Sequence, residues 1–311
     1  MLGGCLALLL GGVGAWLVFG RETTAAPCNG LPEHERVRTS LGAALEPGMS
    51  CAEVGDAIVR ASAGSEPGRH TQQQAQVLKD VLFALEGGNP ENLALDPALR
   101  APLATALADY APDVHEMLAG LDSDYVTNAG RTNPPWEEGG TYHLAVPHTF
   151  FGDIVRAISQ DPTAYVTLRM AQTREGARRL AAVEAGATGA DLSLPALKNG
   201  RALGFLDGIA ATVSEDEGKG EAWRTAVVAG LLREPATEHR YQDDPAGHLV
   251  TAWLRDLKTT PTGERSDRLA TQAVDMARTW TGARGTDEPT RQALLSEVEE
   301  TRLSVYRDVT R

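Results

Sequence analysis

The fold is decided by residues 148–183, which read HTFFGDIVRAISQDPTAYVTLRMAQTREGARRLAAV. In the first part of this stretch, apolar side chains recur every three or four residues, as on the buried face of a helix: Phe151, Ile154, Val155 and Ile158. Asp161 and Pro162 follow as an N-cap and a first helical residue, so a second helix begins there and extends to about Ala185. Two successive amphipathic helices indicate a helical protein.

The same signals extend this pattern to both sides. Two capping boxes, Ser50 with Glu53 and Thr71 with Gln74, predict that helices begin directly after their hydroxyl residues. Apolar periodicity predicts further helices at residues 33–46, 97–110, 196–213, 221–232, 247–257, 264–280 and 288–309. Aromatic residues make up only 5% of the chain, which favours packing of small side chains between helices over a β-sandwich or barrel. We therefore predict an all-α fold, an irregular multi-helix bundle.

One stretch interrupts the helical pattern. Residues 122–140 are rich in Asp, Asn, Gly and Pro and have no helical period, so we predict a long loop. After it, Tyr142, Leu144 and Val146 alternate with polar or small residues, which permits one short strand. A single strand does not form a sheet, so the predicted fold class is unchanged.

The first segment, residues 1–19, reads MLGGCLALLLGGVGAWLVF and carries no charge. Its length suits a hydrocarbon core of about 30 Å, so we predict one transmembrane anchor over residues 1–20. The alternative is a signal peptide cleaved before Ala26, with small residues at Thr23 and Ala25. No basic residue precedes the apolar run, which favours the anchor or indicates that a cytoplasmic segment precedes Met1.

The predicted membrane anchor carries a stripe of small residues at four-residue spacing: Gly3, Ala7, Gly11 and Ala15. Such a stripe allows two membrane helices to approach closely, so it predicts a homodimer formed through the membrane. The alternative is that Gly and Ala are simply frequent in this segment.

Cys28 and Cys51 are the two cysteines outside the apolar segment. We predict that they form a disulfide, which persists in an oxidising compartment and would place the body of the protein outside the cytoplasm. The alternative is two buried free thiols.

The resulting domain prediction is a membrane anchor over residues 1–20, a juxtamembrane helical hairpin over 21–62 and a helical ectodomain over 63–311. The predicted location is the cell membrane, with a single span and an extracytoplasmic C-terminal body.

The charge of the chain limits its partners. Lys and Arg number 29 against 42 Asp and Glu, a net charge of −13. An acidic surface repels phosphate backbones and anionic lipid headgroups, so we expect neither a nucleic-acid partner nor a polybasic membrane patch.

A search for catalytic and metal-binding motifs gives no catalytic residue, no metal site and no cofactor. His115-Glu116 begins like a zinc-protease motif, but Ala119 stands where the second histidine belongs, so we interpret this segment as a partly exposed helix face. Asp122 begins a sequence like a calcium loop, but Val126 occupies a ligand position. We interpret the polar residues between His239 and His248 as an interhelical loop.

A hydrolase site near Tyr142–Asp153 is the alternative function. His143, His148 and Asp153 supply the residue types of a general base and its orienting carboxylate. A strand would direct Tyr142 and His143 to opposite sides, so we interpret these histidines as ordinary surface residues.

The favoured hypothesis is a binding function. The loop at 122–140 and its neighbour at 142–148 contain residue types that are enriched in protein interfaces, and we predict a contact surface at Tyr125, Trp136, Tyr142 and His148. Trp136 would either contact the partner or fold back onto the bundle as a plug, and the sequence leaves both open.

Residues 148–183, together with RALGFLDGIAATV at 201–213, resemble helical segments of actinobacterial secretion-associated proteins of the WXG-like toxin and structural-protein type. The resemblance implies a role in the cell envelope or in secretion and transfers no catalytic residue. The resulting hypothesis is a membrane-anchored, extracytoplasmic interaction, attachment or assembly factor for a secretion or contractile injection apparatus, with a protein partner whose identity is unknown.

Overall fold

The computed structural model describes residues 27–64, 66–87, 93–215 and 220–311. They form helices in this order: α1 (Glu35–Leu41), α2 (Cys51–Ser62), α3 (Gln72–Ala84), α4 (Pro97–Asp109), α5 (Ala111–Ala119), α6 (Ser123–Thr127), α7 (His148–Ser159), α8 (Pro162–Ala181), α9 (Gly189–Ser214), α10 (Gly220–Arg233), α11 (Pro245–Thr259), α12 (Arg265–Ala270), α13 (Gln272–Ala283) and α14 (Glu288–Val309). A two-stranded hairpin, β1 (Trp136–Glu138) and β2 (Thr141–His143), lies between α6 and α7. The prediction of an all-α fold is confirmed.

The predicted membrane anchor at residues 1–20, with its stripe of Gly3, Ala7, Gly11 and Ala15, lies outside the described residues. Within the described ranges, no helix combines the length and apolar character that crossing a membrane requires.

The caps predicted from the sequence are present. Ser50 Oγ accepts a hydrogen bond from the Glu53 N–H at 3.3 Å, and Glu53 Oε2 accepts one from the Ser50 N–H at 2.7 Å. Thr71 and Gln74 form the same reciprocal pair at the start of α3. Asp161 Oδ1 accepts from the Thr163 N–H at 2.7 Å at the start of α8. Each cap satisfies backbone donors that the first helical turn leaves free.

Helix α8 lies at the centre of the bundle. It contacts α4, α5, α7, α9, α10, α11 and α13. Because it is surrounded, even its polar side chains are buried: Arg169 is fully buried and donates to Asp207 Oδ1 at 2.5 Å and to Gln272 Oε1 at 2.7 Å. A buried guanidinium costs free energy unless its donors are satisfied, and these bonds satisfy it.

The predicted disulfide between Cys28 and Cys51 is present, with an S–S distance of 2.04 Å. It ties the first described residues to the start of α2. Val37 of α1 and Val54 and Ile58 of α2 are fully buried and belong to the same hydrophobic core as the helices that follow. The segment predicted as a juxtamembrane hairpin therefore packs into the common core.

The stretch predicted as a loop contains structure. Asp122 Oδ1 accepts from the Asp124 N–H at 3.0 Å and caps the short helix α6. The predicted single strand is shorter than expected and is the second strand of a hairpin, in which Trp136 pairs with His143. The expectation of an unpaired strand was wrong because the partner strand, Trp136–Glu138, is too short to show a period.

Several helix boundaries also differ from the prediction: α9 begins at Gly189 instead of residue 196, and α1 ends at Leu41 instead of residue 46. The helix expected at 264–280 is divided into α12 and α13 at Thr271, where φ is −93° and ψ is 0°. The helix expected to reach about Ala185 ends at Ala181, before a turn in which Gly186 has a φ of +84°. Apolar periodicity does not detect either break because apolar residues such as Leu269 and Val183 continue the helical spacing in the sequence although neither is buried in the structure.

Candidate functional site

The site begins with the corner between α5 and α6. Gly120 has a φ of +62°, a left-handed conformation that ends α5 and is available to glycine without strain. The Asp122 cap then starts α6 in a new direction. As a result Tyr125 points into the protein, 9% exposed, while Val126 points outward, 70% exposed.

Asp113 of α5 is the centre of a buried hydrogen-bond cluster, which we call the Asp113 cluster: Asp113, Tyr125, His143 and the Leu144 N–H. The Tyr125 hydroxyl donates to Asp113 Oδ1 at 2.6 Å, and His143 Nδ1 lies 2.6 Å from the same oxygen. The Leu144 N–H donates to Asp113 Oδ2 at 3.2 Å. One carboxylate thus holds α6 and β2 against α5.

The Asp113 cluster changes the acidity of its members. Desolvation lowers the pKa of the His143 imidazole, but the hydrogen bond and charge of Asp113 outweigh it, so the pKa is raised above its ordinary value of 6.5. Burial and the charge of Asp113 raise the pKa of the Tyr125 hydroxyl. Tyr125 therefore remains a neutral donor to the carboxylate. The interpretation of His143 as an ordinary surface histidine was wrong, since its side chain is only 17% exposed and is bound to Asp113.

Trp136 covers the Asp113 cluster. Its indole ring meets Tyr125 edge-on, with ring centroids 5.0 Å apart, and lies 5.6 Å from the His143 ring. Its Nε1 is buried and has no hydrogen-bond partner among the described residues. Trp136 is thus half-buried and folded back onto the bundle, the packing expected of a plug. Tyr142, also half-buried, lies on β2 and donates its N–H to the His70 carbonyl at 3.0 Å.

The segment after α6 is fastened to α3. Lys79 Nζ donates to the Asn128 carbonyl at 2.9 Å, and burial lowers the pKa of this lysine to about 8. Arg131 pairs with Glu86 and stacks over the Phe83 ring, with its guanidinium carbon 5.2 Å from the ring centroid. Both ends of the segment are therefore held against the bundle.

Between α6 and the start of α7 lies a groove of about 360 Å³, which we call the α6–α7 groove. Its walls are mainly apolar, and they are formed by Met117, Tyr125, Val126, Ala129, Val146 and Pro147. Its polar lining side chains are Glu116, Asp122 and His148. Two of the four predicted contact residues, Tyr125 and His148, line the groove, and the other two lie on the adjoining hairpin.

The two carboxylates of the α6–α7 groove are already paired. Lys198 Nζ of α9 lies 2.7 Å from Glu116 Oε2, an ion pair without the angle of a directed hydrogen bond, and 3.3 Å from Asp122 Oδ2. Arg179 pairs with the other oxygen of Glu116.

Desolvation lowers the pKa of His148, whose ring meets Phe205 edge-on at 5.4 Å. His148 is therefore neutral at physiological pH.

Two residues of the site were not among the contact residues predicted from the sequence. Asp113 holds the cluster together, and Val126 was considered only as a failed calcium ligand. The structure buries the whole stretch from Asp113 to Ala119, but its sequence includes His115 and Glu116 as well as Asp113 and therefore does not signal this burial. A buried charge requires partners, and the sequence does not show that Tyr125 and His143 supply them.

The other polar candidates have structural partners. His115 and Glu116 are buried, so the expectation of a partly exposed helix face was wrong. His115 Nδ1 lies 3.1 Å from Gln172 Oε1, and burial, aided by Arg179, lowers its pKa to about 3. His239 pairs with Asp244 at 3.3 Å. Among the described residues, no group of three His, Cys, Asp or Glu side chains is placed to hold a metal ion.

The comparison with known proteins gives one match. No curated protein and no solved structure matches the chain. Residues 50–228 match a family of unknown function, DUF6571. The matched range is more than half of the 311 residues and contains every residue that lines the α6–α7 groove. The chain therefore belongs to DUF6571, a family of unknown function.

Proposed function

We propose that this protein is an interaction factor of the cell envelope, held in the membrane by residues 1–20, whose helical body lies outside the cytoplasm and binds another protein. The proposed contact surface comprises the α6–α7 groove and the adjoining hairpin, with Tyr125, Trp136, Tyr142 and His148. We further propose that the partner belongs to a secretion or contractile injection apparatus, as the resemblance of residues 148–183 suggests.

The observation that supports binding is the exposed apolar rim of the α6–α7 groove. Val126 of α6 lines the groove and is 70% exposed, and Leu121, which lies between the lining residues Gly120 and Asp122, is 47% exposed. Exposed apolar area costs about 25 cal/mol per Å² relative to burial, so a surface that retains it beside an apolar groove gains free energy when a partner covers it. Val126 and Leu121 therefore mark this face for contact.

The Cys28–Cys51 disulfide supports the proposal that the helical body lies outside the cytoplasm. Structural disulfides persist in oxidising compartments and are rare in the cytosol. The disulfide is therefore consistent with an extracytoplasmic body, while the membrane anchor and the homodimer through Gly3, Ala7, Gly11 and Ala15 are proposed from the sequence.

The hydrolase alternative has one observation in its favour, the His143–Asp113 pair, in which a carboxylate orients an imidazole. Two features weaken it as a catalytic base. Trp136 covers the pair, and the raised pKa of His143 leaves the imidazole protonated over a wider pH range, when it cannot accept a proton. Asp153 is engaged with Arg156 at 2.9 Å. Binding is therefore the better supported function.

Site-directed photo-cross-linking in the producing cells tests the proposal. A photoreactive amino acid replaces Val126 in one full-length variant and Glu137 in a second, both on the proposed surface. A third variant carries it at Leu303 of α14, which is 37% exposed and serves as a matched control. We expect the same protein adduct from positions 126 and 137 and none from 303.

The outcome that contradicts binding is the absence of an adduct at 126 and 137, or equal adducts at all three positions. The compartment is tested separately with a Leu303→Cys variant that also carries Cys5→Ser. A membrane-impermeant thiol reagent should label it in intact spheroplasts. Labelling only after lysis would place the body in the cytoplasm.

A further inference from the structure

The α6–α7 groove and the charges around it define what kind of segment they fit. We infer that the groove takes one large apolar side chain from a partner protein segment that carries Lys or Arg on both sides of that residue. This inference rests on the proposed function and names the chemistry of the partner at the same surface.

The α6–α7 groove has room for a large apolar side chain. Its volume of about 360 Å³ lies near the lower end of the range of small-ligand pockets, roughly 300–1,000 Å³. Val126 of α6 and Pro147, the residue before α7, both line this groove. A Phe, Leu or Met side chain fits such a space, whereas a dinucleotide cofactor does not.

The lining of the α6–α7 groove favours an apolar group over a charged one. Glu116 is occupied by Lys198 and Arg179, and Asp122 by Lys198. His148 is neutral because desolvation lowers its pKa. A charged group inside the groove would therefore lose its hydration without gaining a free counter-charge, which is costly. An apolar group loses only unfavourable contact with water.

The surface around the α6–α7 groove is negatively charged, in contrast to the apolar lining of the groove itself. Three exposed carboxylates lie on α6 and on the adjoining hairpin, at Asp124, Glu137 and Glu138. Of the nearby cations, Arg131 pairs with Glu86, whereas Arg201 donates to the neutral Ala119 carbonyl and keeps its charge, so the three carboxylates outnumber the uncompensated cation. The chain as a whole carries a net charge of −13, which adds a negative field at longer range. Basic residues on both sides of the apolar one would meet this rim with complementary charge.

Three fluorescein-labelled peptides test the inference against the full-length chain in neutral detergent, with binding followed by fluorescence anisotropy. The first has a central Phe flanked by three Lys on each side, the second replaces Phe by Ala, and the third replaces the Lys residues by Glu. We expect the first peptide to bind at least about 10-fold more tightly than the second, because burial of a Phe side chain supplies that factor. We expect a similar preference over the third that decreases at high salt.

Variants separate the α6–α7 groove from its rim. Val126→Asp should bring the Phe-to-Ala ratio of dissociation constants close to one, while the matched control Leu303→Asp should leave it unchanged. The combined variant Asp124→Asn, Glu137→Gln and Glu138→Gln should reduce the Lys-to-Glu preference and keep the Phe-to-Ala preference. All these positions are exposed, and thermal melts followed by circular dichroism verify that each variant is folded.

A Phe-to-Ala ratio near one in the unmodified chain would overturn the inference, as would tighter binding of the Glu-flanked peptide. Binding to neutral phosphatidylcholine vesicles that is lost in Val126→Asp, without peptide binding, would assign the surface to a membrane instead. The cross-linking experiment fails or succeeds independently. If a partner is captured but the Phe-to-Ala ratio of dissociation constants is near one, the proposed function stands and this inference is refuted. If the peptides bind selectively but no partner is captured, the inference about the groove stands and the proposed function is refuted.

Discussion

At the residue scale, Asp113 decides the geometry of the site. It is 2% exposed and accepts hydrogen bonds from Tyr125, His143 and the Leu144 N–H. An unpaired buried carboxylate is strongly unfavourable, so the three donors both stabilise it and are positioned by it. The contact surface consequently depends on a residue that the partner would not touch.

The pH dependence of stability tests the Asp113 cluster. Because Asp113 raises the pKa of His143, the folded protein holds this proton more tightly than the unfolded chain. The stabilisation is complete below the ordinary value of 6.5 and is lost as the pH rises through the raised value. We expect the free energy of unfolding of the wild type, measured in urea, to fall relative to His143→Gln over this window.

The wild type must be compared with His143→Gln because Lys79 changes the stability of the folded state in the opposite direction as the pH rises. Its pKa of about 8, below the ordinary 10.5, makes the folded state more stable as the pH rises from 8 to 10.5. This contribution is the same in both proteins and cancels. The charged groups that face His143 are Asp113 and Glu138, with the Tyr125 hydroxyl beside them. A difference that is independent of pH would contradict the assignment of the proton to His143.

At the element scale, the packing of α9 against α14 depends on glycines at four-residue spacing, Gly200, Gly204 and Gly208. A Cβ atom at Gly204 would lie 2.6 Å from the Arg302 carbonyl oxygen, and one at Gly200 would lie 3.2 Å from that of Val298. The two helix backbones therefore approach closely along their length. Small residues at four-residue spacing were predicted to pack helices only within residues 1–20, whereas the same spacing packs α9 against α14 in the core.

Replacing Gly204 by Ala tests this close approach. Ala favours a helix over Gly by about 1 kcal/mol, but overpacking of a tight contact costs about 1–3 kcal/mol, and the obstructing atom here is backbone. We expect a net loss of up to about 2 kcal/mol in the free energy of unfolding, measured in urea.

Gly282 of α13 is the matched control, because a Cβ atom there meets nothing within 4 Å. Gly282→Ala should raise the free energy of unfolding by about 0.5–1 kcal/mol through helix propensity alone. If Gly204→Ala were also stabilising, α14 would have to shift without cost, and the glycine contact would not determine the packing.

At the scale of the whole molecule, the disulfide joins the first described residues to the core. Cys28 is 4% exposed, and both Cys28 and Asn29 have positive φ values, 53° and 57°. Asn29 Nδ2 donates to the Ala94 carbonyl at 2.7 Å, and Asn29 Oδ1 accepts from the Asp96 N–H at 2.8 Å. The covalent link and the Asn29 bonds together dock this segment beside the start of α4.

Removing the disulfide tests its contribution. The cysteines are 23 residues apart, and closing a loop of this length stabilises by about 3 kcal/mol in the chain-entropy model. We expect the double variant Cys28→Ser and Cys51→Ser to lose about this amount in urea unfolding without reductant. Adding reductant should lower the wild type to the level of the variant. An unchanged wild type in reductant, with both thiols shown to be free by mass spectrometry, would contradict the prediction.

Much of the helical architecture could be predicted because its signals are local. The caps at Ser50, Thr71 and Asp161 act through contacts two or three residues apart, and α14 has the bounds expected from apolar periodicity. The disulfide followed from the positions of two cysteines. In contrast, Trp136 was ambiguous between contact and plug, because burial of an indole depends on what lies beneath it.

The sequence alone thus determined the all-α class and most helix starts, since each depends on propensity or capping, and it predicted the disulfide that the structure confirms. Only the tertiary structure decided that Asp113 gathers Tyr125 and His143 from 12 and 30 residues away, and that α6 and α7 enclose a groove. The physical reason is that a buried charge can be satisfied by any suitable donor in the chain. Which donor reaches it depends on how the helices pack.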